Sequence, residues 1–330
     1  MSVTLRALLA RRRDPVVIVP YLSYGTAKQA LVCGRVLEDE GFTSKEGRSH
    51  NLANFIKRLE SDEVPHARIR VRGRTFTADK EGYFRMALRG RFAAGWNDID
   101  LVLAADRDVR ATARVLVPSP KAAFGVISDI DDTVVYSHVA RRLRMLATVA
   151  LSSARQRKPF AGVAAFYRAL YRQRNPFFYV SKSPWNLYVP LLEFLELQGL
   201  PEGPLLLRDF GWRMAKDHKQ KAIAAILDFY PKLPFVLIGD SGEKDPEIYA
   251  GILRGYPDRI RAIYIRSVNE KRVAAVKTLA AAVAKTRCPL VLAPNTEIAA
   301  VHAAAEGLIA MDDLKAVRDD RKADARGKAR

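Results

Sequence analysis

Two rhythms of apolar and polar residues divide this chain. In its first third the apolar positions come in short runs. Val16-Val17-Ile18-Val19 is β-branched, and Ala67-Arg68-Ile69-Arg70-Val71-Arg72 alternates apolar with arginine. Period-two spacing is that of a half-buried antiparallel strand. Residues 75–77 and 83–86 flank Asp79-Lys80-Glu81-Gly82, which predicts a hairpin closed by a glycine-containing loop. Runs at 99–103 and 111–117 follow at similar spacing, so residues 1–118 read as a β-rich, sandwich-like domain.

Pro118-Ser119-Pro120 continues neither helix nor strand and marks a boundary. Beyond it the rhythm changes. Nearly all-apolar runs at 124–128, 177–180, 205–207, 235–238, 260–265 and 289–292 predict strands, interleaved with helical spacing at 162–172, 187–198, 218–230, 246–254 and 297–309. Such alternation predicts a parallel sheet covered by helices on both faces, an α/β three-layer domain over 119–311. Residues 312–330 are charged and poor in bulky apolar side chains, and read as a disordered tail.

Ligands of such sheets sit at the carboxyl ends of the strands. Here those ends are polar: Asp129, Ser181, Arg208-Asp209 and Asp240. The first continues as Asp129-Ile-Asp131-Asp132-Thr133. Three acids at one strand end repel one another unless a cation answers them. With a metal on one of them, two carboxylates two residues apart can divide the work of nucleophile, Asp129, and acid/base, Asp131. The second continues as Gly239-Asp240-Ser-Gly-Glu-Lys-Asp245-Pro246, returning two more acids. Hard oxygen ligands of this kind suit Mg²⁺. Ser181 can bond a phosphoryl oxygen, and Lys219, or Lys216 in its place, can bring a cation to the same oxygens. Each feature also has a plain structural reading: an aspartate-rich turn, a helix cap at Asp132, Thr133 or Asp245, a solvated lysine.

Taken together and in this order, the motifs resemble the haloacid dehalogenase (HAD-like) phosphatase superfamily. The wording of Asp129-Ile-Asp-Asp-Thr133, Tyr179-Val-Ser-Lys-Ser-Pro-Trp-Asn-Leu-Tyr188, His218-Lys219 and Ile238-Gly-Asp-Ser-Gly-Glu-Lys-Asp-Pro-Glu-Ile-Tyr249 is similar to the catalytic domain of the actin-patch-associated phosphatidate phosphatase family. The resemblance covers 122 to about 310 and implies a HAD-like Rossmannoid fold. It also implies Mg²⁺-dependent hydrolysis of phosphatidate to diacylglycerol through an aspartyl-phosphate. By motif, Asp129 is the nucleophile and Asp131 the acid/base. Thr133, Ser181 and Lys219 are the phosphate ligands, and Asp129, Asp131, Asp240 and Asp245 hold the metal.

Charge adds a partner to this picture. The net charge is +19. Between Asp132 and Glu193 there is no acid but there are ten basic residues, Arg141, Arg142 and Arg144 among them. The superfamily resemblance implies a flap over the active site between the first two motifs, and a basic one suits an anionic membrane surface, with the protein cytoplasmic and peripherally bound. It would equally attract a soluble or nucleic-acid phosphomonoester, or serve a non-catalytic binding module, and a helix solvating its arginines is the plain alternative. No run reaches transmembrane length. Residues 1–13 read as a first helix packed on the domain or a surface anchor, and make a poor secretory signal. Cys33 and Cys288 lack any disulfide or zinc spacing.

Overall fold

The computed structural model describes residues 15–38, 63–130, 161–172, 174–208 and 217–326. The chain divides into two compact units, Met1–Val117 and Pro118–Arg330. The helix read at 1–13, together with Asp131, Thr133, Arg141, Arg142, Arg144 and Lys216, lies outside the described residues.

The first unit is built from β1 (Val16–Pro20), β2 (Ser23–Gly25), β3 (Gln29–Glu38), β4 (Arg68–Val71), β5 (Arg74–Thr77), β6 (Tyr83–Arg89), β7 (Gly95–Leu103) and β8 (Arg110–Val117). They form one eight-stranded sheet in the order β1-β3-β2-β8-β7-β4-β5, with β6 also paired to β3. Pairing is antiparallel except between β2 and β8. The strict alternation read from the sequence is real. In β4 Ile69 and Val71 are buried while Arg68 and Arg70 are exposed, and β6 shows the same two-residue rhythm. The inward residues of the strands, Val32, Val36, Ile69, Met86, Leu101 and Val115 among them, meet in one core. Several arginines lie over aromatic rings, the half-buried Arg114 at 4.6 Å from the Trp96 centroid and the buried Arg35 at 4.4 Å from that of Tyr83.

One pairing differs from expectation. The loop 79–82 does not close a hairpin. β5 pairs back on β4 with Val71 opposite Arg74, and β6 pairs with β3. The turn that decides this is Arg72-Gly73, whose φ values of 47° and 76° are both positive, as a two-residue turn matched to strand twist requires. β3, absent from the sequence reading, supplies the long partner that β6 needs.

The second unit holds β9 (Gly125–Asp129), β10 (Phe177–Pro184), β11 (Leu205–Arg208), β12 (Phe235–Asp240), β13 (Ile260–Arg266) and β14 (Leu290–Ala293). They form a parallel sheet in the order β11-β10-β9-β12-β13-β14. Every residue of the central strands β9 and β12 is buried, which is why they read as unbroken apolar runs. The helices are α1 (Val163–Tyr171), α2 (Tyr188–Leu197), α3 (His218–Phe229), α4 (Asp245–Gly255), α5 (Val273–Val283), α6 (Thr296–Ala305) and α7 (Asp313–Arg326). α1, α6 and α7 pack together in one layer, and α3, α4 and α5 in the other. This is the α/β class expected, preceded by the strand-rich antiparallel unit. α5 is an addition to the sequence reading. The chain runs from β9 out to β11 and returns at β12 beside β9, so the order reverses between β9 and β12, where such folds open a crevice.

The disordered tail expected at 312–330 is corrected. Residues 313–326 are helical, with Leu314 and Val317 buried. Those two lie three apart on one helix face, and that short stripe suffices because charged neighbours find partners. Arg318 and Arg321 pair with Glu297 at 2.7 and 2.9 Å, and Asp320 accepts the Ala165 N–H at 3.1 Å in the first turn of α1.

Candidate active site

The sheet brings the predicted carboxylates together. β9 ends on Asp129 and β12 on Asp240, adjacent strands in register, and both side chains are fully buried. Asp245 opens α4, one tight loop further on. Gly239 makes that loop possible: a Cβ there would stand 2.3 Å from Asp245 Oδ2. Carboxylate oxygens of Asp129, Asp240 and Asp245 lie within 4.8 Å of one another, a metal-sized cluster.

The plain readings of these residues are not what is found. Asp245 is not the cap of α4; Lys244 holds that position, and Pro246 stands in the first turn. Asp245 Oδ2 instead accepts the Asp240 N–H at 3.3 Å, and Oδ1 faces Lys219 at 2.5 Å. Lys219 is not a solvated helix lysine. Only 1% of its side chain is exposed, and Nζ reaches Asp129 Oδ1 at 2.7 Å as well. Asp240 Oδ1 accepts the N–H groups of Gly242 at 2.5 Å and Glu243 at 3.2 Å, which folds the loop back on the strand end. Tyr249 anchors α4 by donating to the Ile238 carbonyl at 2.9 Å.

Ser181 lies on β10 one residue past Val180, which pairs with Asp129. It is buried, and its Oγ accepts the Ser183 N–H at 2.9 Å. That bond lies within β10, where the pairing with β11 shifts register between Val180 and Pro184.

Sequence reasoning missed Glu243. Its Oε2 lies 2.6 Å from Lys182 Nζ and 3.6 Å from Lys219 Nζ. Arg272 holds its backbone carbonyl and also pairs with Glu247. The signal was present, since Glu243 stands inside the Asp240-to-Asp245 span and Lys182 directly after Ser181. Charge on a surface-like loop carries no direction until the fold turns it inward.

The electrostatics follow from burial and these neighbours. Burial alone pulls the Lys219 ammonium down, but Asp129 and Asp245 outweigh it and hold the group above the ordinary lysine value. Burial, helped by Asp245, pushes Asp240 up to about 6 against the N–H groups of Gly242 and Glu243. Asp245 is also raised, by burial, despite Lys219. Glu243 is lowered because Lys182 and Lys219 outweigh its burial. Four carboxylates thus face two ammoniums, a difference that a divalent cation would balance. The donor set of buried hard oxygens fits Mg²⁺.

Residues 124–267 match the family described as phosphatidate phosphatase APP1, catalytic domain. The curated phosphatidate phosphatase APP1 of Saccharomyces cerevisiae is 34% identical over 151 residues, 43% of this chain and 26% of that protein. An uncharacterized protein of Schizosaccharomyces pombe is 28% identical over 170 residues, 49% of this chain and 28% of that one. The chain therefore spans about a quarter of the length of these relatives. Among solved structures, a HAD family hydrolase from Deinococcus radiodurans R1, with bound phosphate and sodium, aligns over 58% of this chain and 99% of its own at 19% identity. Its TM-score is 0.34, too low to weigh in the assignment. Residues 124–267, which carry Asp129, Ser181, Lys219, Asp240 and Asp245, are thus similar to the catalytic domain of phosphatidate phosphatase APP1, the family that the motifs resemble.

Proposed function

We propose that the second unit is a Mg²⁺-dependent phosphatase whose substrate is phosphatidate or a closely similar lipid phosphate. The observation that carries this reading is the buried cluster of Asp129, Asp240 and Asp245 at a strand-order reversal, with the Lys219 ammonium bonded to two of its members. The lipid substrate comes from the similarity to phosphatidate phosphatase APP1, and the ten basic residues after the first motif support an anionic surface as its source.

Asp129, Asp240 and Asp245, with the carbonyl of Asp131, would hold the Mg²⁺. Bound there, the ion screens the charge of the phosphoryl oxygens against the carboxylates. The other roles belong to side chains. Lys219 and Ser181 orient the phosphoryl group in front of Asp129. An Asp129 oxygen forms a bond to phosphorus as the bond to the glycerol oxygen breaks, and Asp131 gives that oxygen its proton, releasing diacylglycerol. Water then attacks the aspartyl-phosphate, loses its proton to Asp131 and frees Asp129 and phosphate. The proton on Asp131 and the assignment of Thr133 as a phosphate ligand come from the resemblance.

The test is phosphate release from phosphatidate in mixed micelles, with and without Mg²⁺, beside release from a soluble phosphomonoester. Mg²⁺-dependent release from phosphatidate, lost in Asp129→Asn, is expected. Release from the soluble ester alone would move the substrate class. No release from either, with anionic ligands still bound by Asp129→Asn, would leave a binding module.

A further inference from the structure

Lys182 has no part in the reading above, yet it stands at the site. It follows Ser181, its side chain is 36% exposed, and its Nζ lies 2.6 Å from Glu243 Oε2. That same oxygen is 3.6 Å from Lys219 Nζ, and Lys219 is 2.7 Å from Asp129 Oδ1. Two ammoniums thus share one carboxylate oxygen at the entrance to the nucleophile. The backbone of Glu243 is held at both ends. Its N–H is bonded to Asp240 Oδ1 at 3.2 Å and its carbonyl to Arg272.

A phosphomonoester dianion brings further negative charge to a site where Mg²⁺ would only balance the carboxylates, and Lys219 divides its bonds between that dianion and Asp129 and Asp245. A second protein cation would be needed close by, and Lys182 is one carboxylate oxygen away. The carboxylate it now holds is the same kind of partner that a phosphoryl oxygen would be. Turning from one to the other does not strand Glu243, because Lys219 remains beside it.

We infer that Lys182 is a further phosphate-binding residue held in place by Glu243, which competes with the substrate phosphoryl group for its ammonium. The inference rests on the phosphatase reading of this site. It assigns opposite signs to the two residues, which a merely structural ion pair would not do.

The probe is inorganic phosphate, titrated by calorimetry into the full chain with Mg²⁺ present. Lys182→Met should weaken phosphate binding about tenfold, the loss of one charge-assisted hydrogen bond. Lys182→Arg should keep most of it. Glu243→Gln should tighten binding several-fold, and that gain should vanish when Lys182→Met is added. Thermal unfolding of each variant identifies any that fails to fold, and the arginine and glutamine variants then carry the test. Weakening in both single variants, or a gain from Glu243→Gln that persists without Lys182, would overturn the inference. If the parent binds phosphate but releases none from any ester, the phosphatase reading fails while the calorimetric signs still decide the role of Lys182.

Discussion

Lys219 sits between two carboxylates in a place from which water is excluded, and its replacement should show what it holds apart. Lys219→Met leaves Asp129 and Asp245 buried without a cation. The metal-free protein should lose about 3–5 kcal/mol in denaturant unfolding, together with activity. Mg²⁺ should recover part of that stability and none of the activity. Asp240 behaves in the opposite sense. Its native value of about 6 lies above the ordinary 3.8, so between these pH values the native state binds the proton that the unfolded state has released. Metal-free stability should therefore fall as pH rises through that window, by about 3 kcal/mol for a shift of this size. Mg²⁺ should offset the fall, and Asp240→Asn should lessen it, leaving the part that Asp245 contributes, while abolishing metal-dependent turnover. A metal-free protein whose stability is level from pH 4 to 7 would contradict this account. At this scale Asp129, Asp240 and Ser181 were legible from residue type at strand ends and Asp245 from its spacing after Asp240, whereas Lys219, at a helix start, was named with Lys216 as its alternative. Glu243 and Lys182 were not legible. Nothing in a run of charged residues says which of them the loop turns toward its own cations.

The loop from β12 to α4 does its work through one missing atom. Gly239→Ala puts a methyl group where the Asp245 carboxylate lies, so the carboxylate must shift away from Asp240 and Lys219. Mg²⁺ affinity and turnover should fall at least tenfold, with a smaller loss of stability than the change in packing alone would suggest. Equal Mg²⁺ affinity in the variant would mean that Asp245 is not held as described. The helix α7 makes the opposite point about legibility. A window with so many charges reads as tail, but Val317 is fully buried and Asp320 satisfies an N–H group of α1. Val317→Asp should detach the helix and cost about 2 kcal/mol or more, read by thermal unfolding and faster proteolysis after residue 312. The strands of the parallel sheet were legible because burial on both faces demands unbroken apolar runs. The β4–β5 hairpin was misread because its turn, Arg72-Gly73, is too short to register beside the longer, more turn-like stretch at 79–82.

Across the whole molecule the charge is +19, and ten of its basic residues fall in the acid-free stretch between the first two motifs. If that stretch meets an anionic surface, neutralising Arg141, Arg142 and Arg144 should weaken liposome association, most at low salt, and spare hydrolysis of a soluble ester. Equal binding to neutral and anionic liposomes would remove the idea. Among the described residues no helix is long and apolar enough to cross a membrane. The sequence by itself determined the class of the second unit, since apolar runs alternating with amphipathic helices leave few other layers to build. It also determined which carboxylates end the strands, because a strand's last residue is where an apolar run stops. Tertiary structure decided what those residues do to one another. β9 and β12 become neighbours only through the reversal in strand order, and only that adjacency sets Asp129 beside Asp240 and buries Lys219 between Asp129 and Asp245. The shifted proton affinities, and the shared oxygen of Glu243, exist because distances of a few ångströms between residues far apart in the chain are set by packing, which spacing along the chain does not encode.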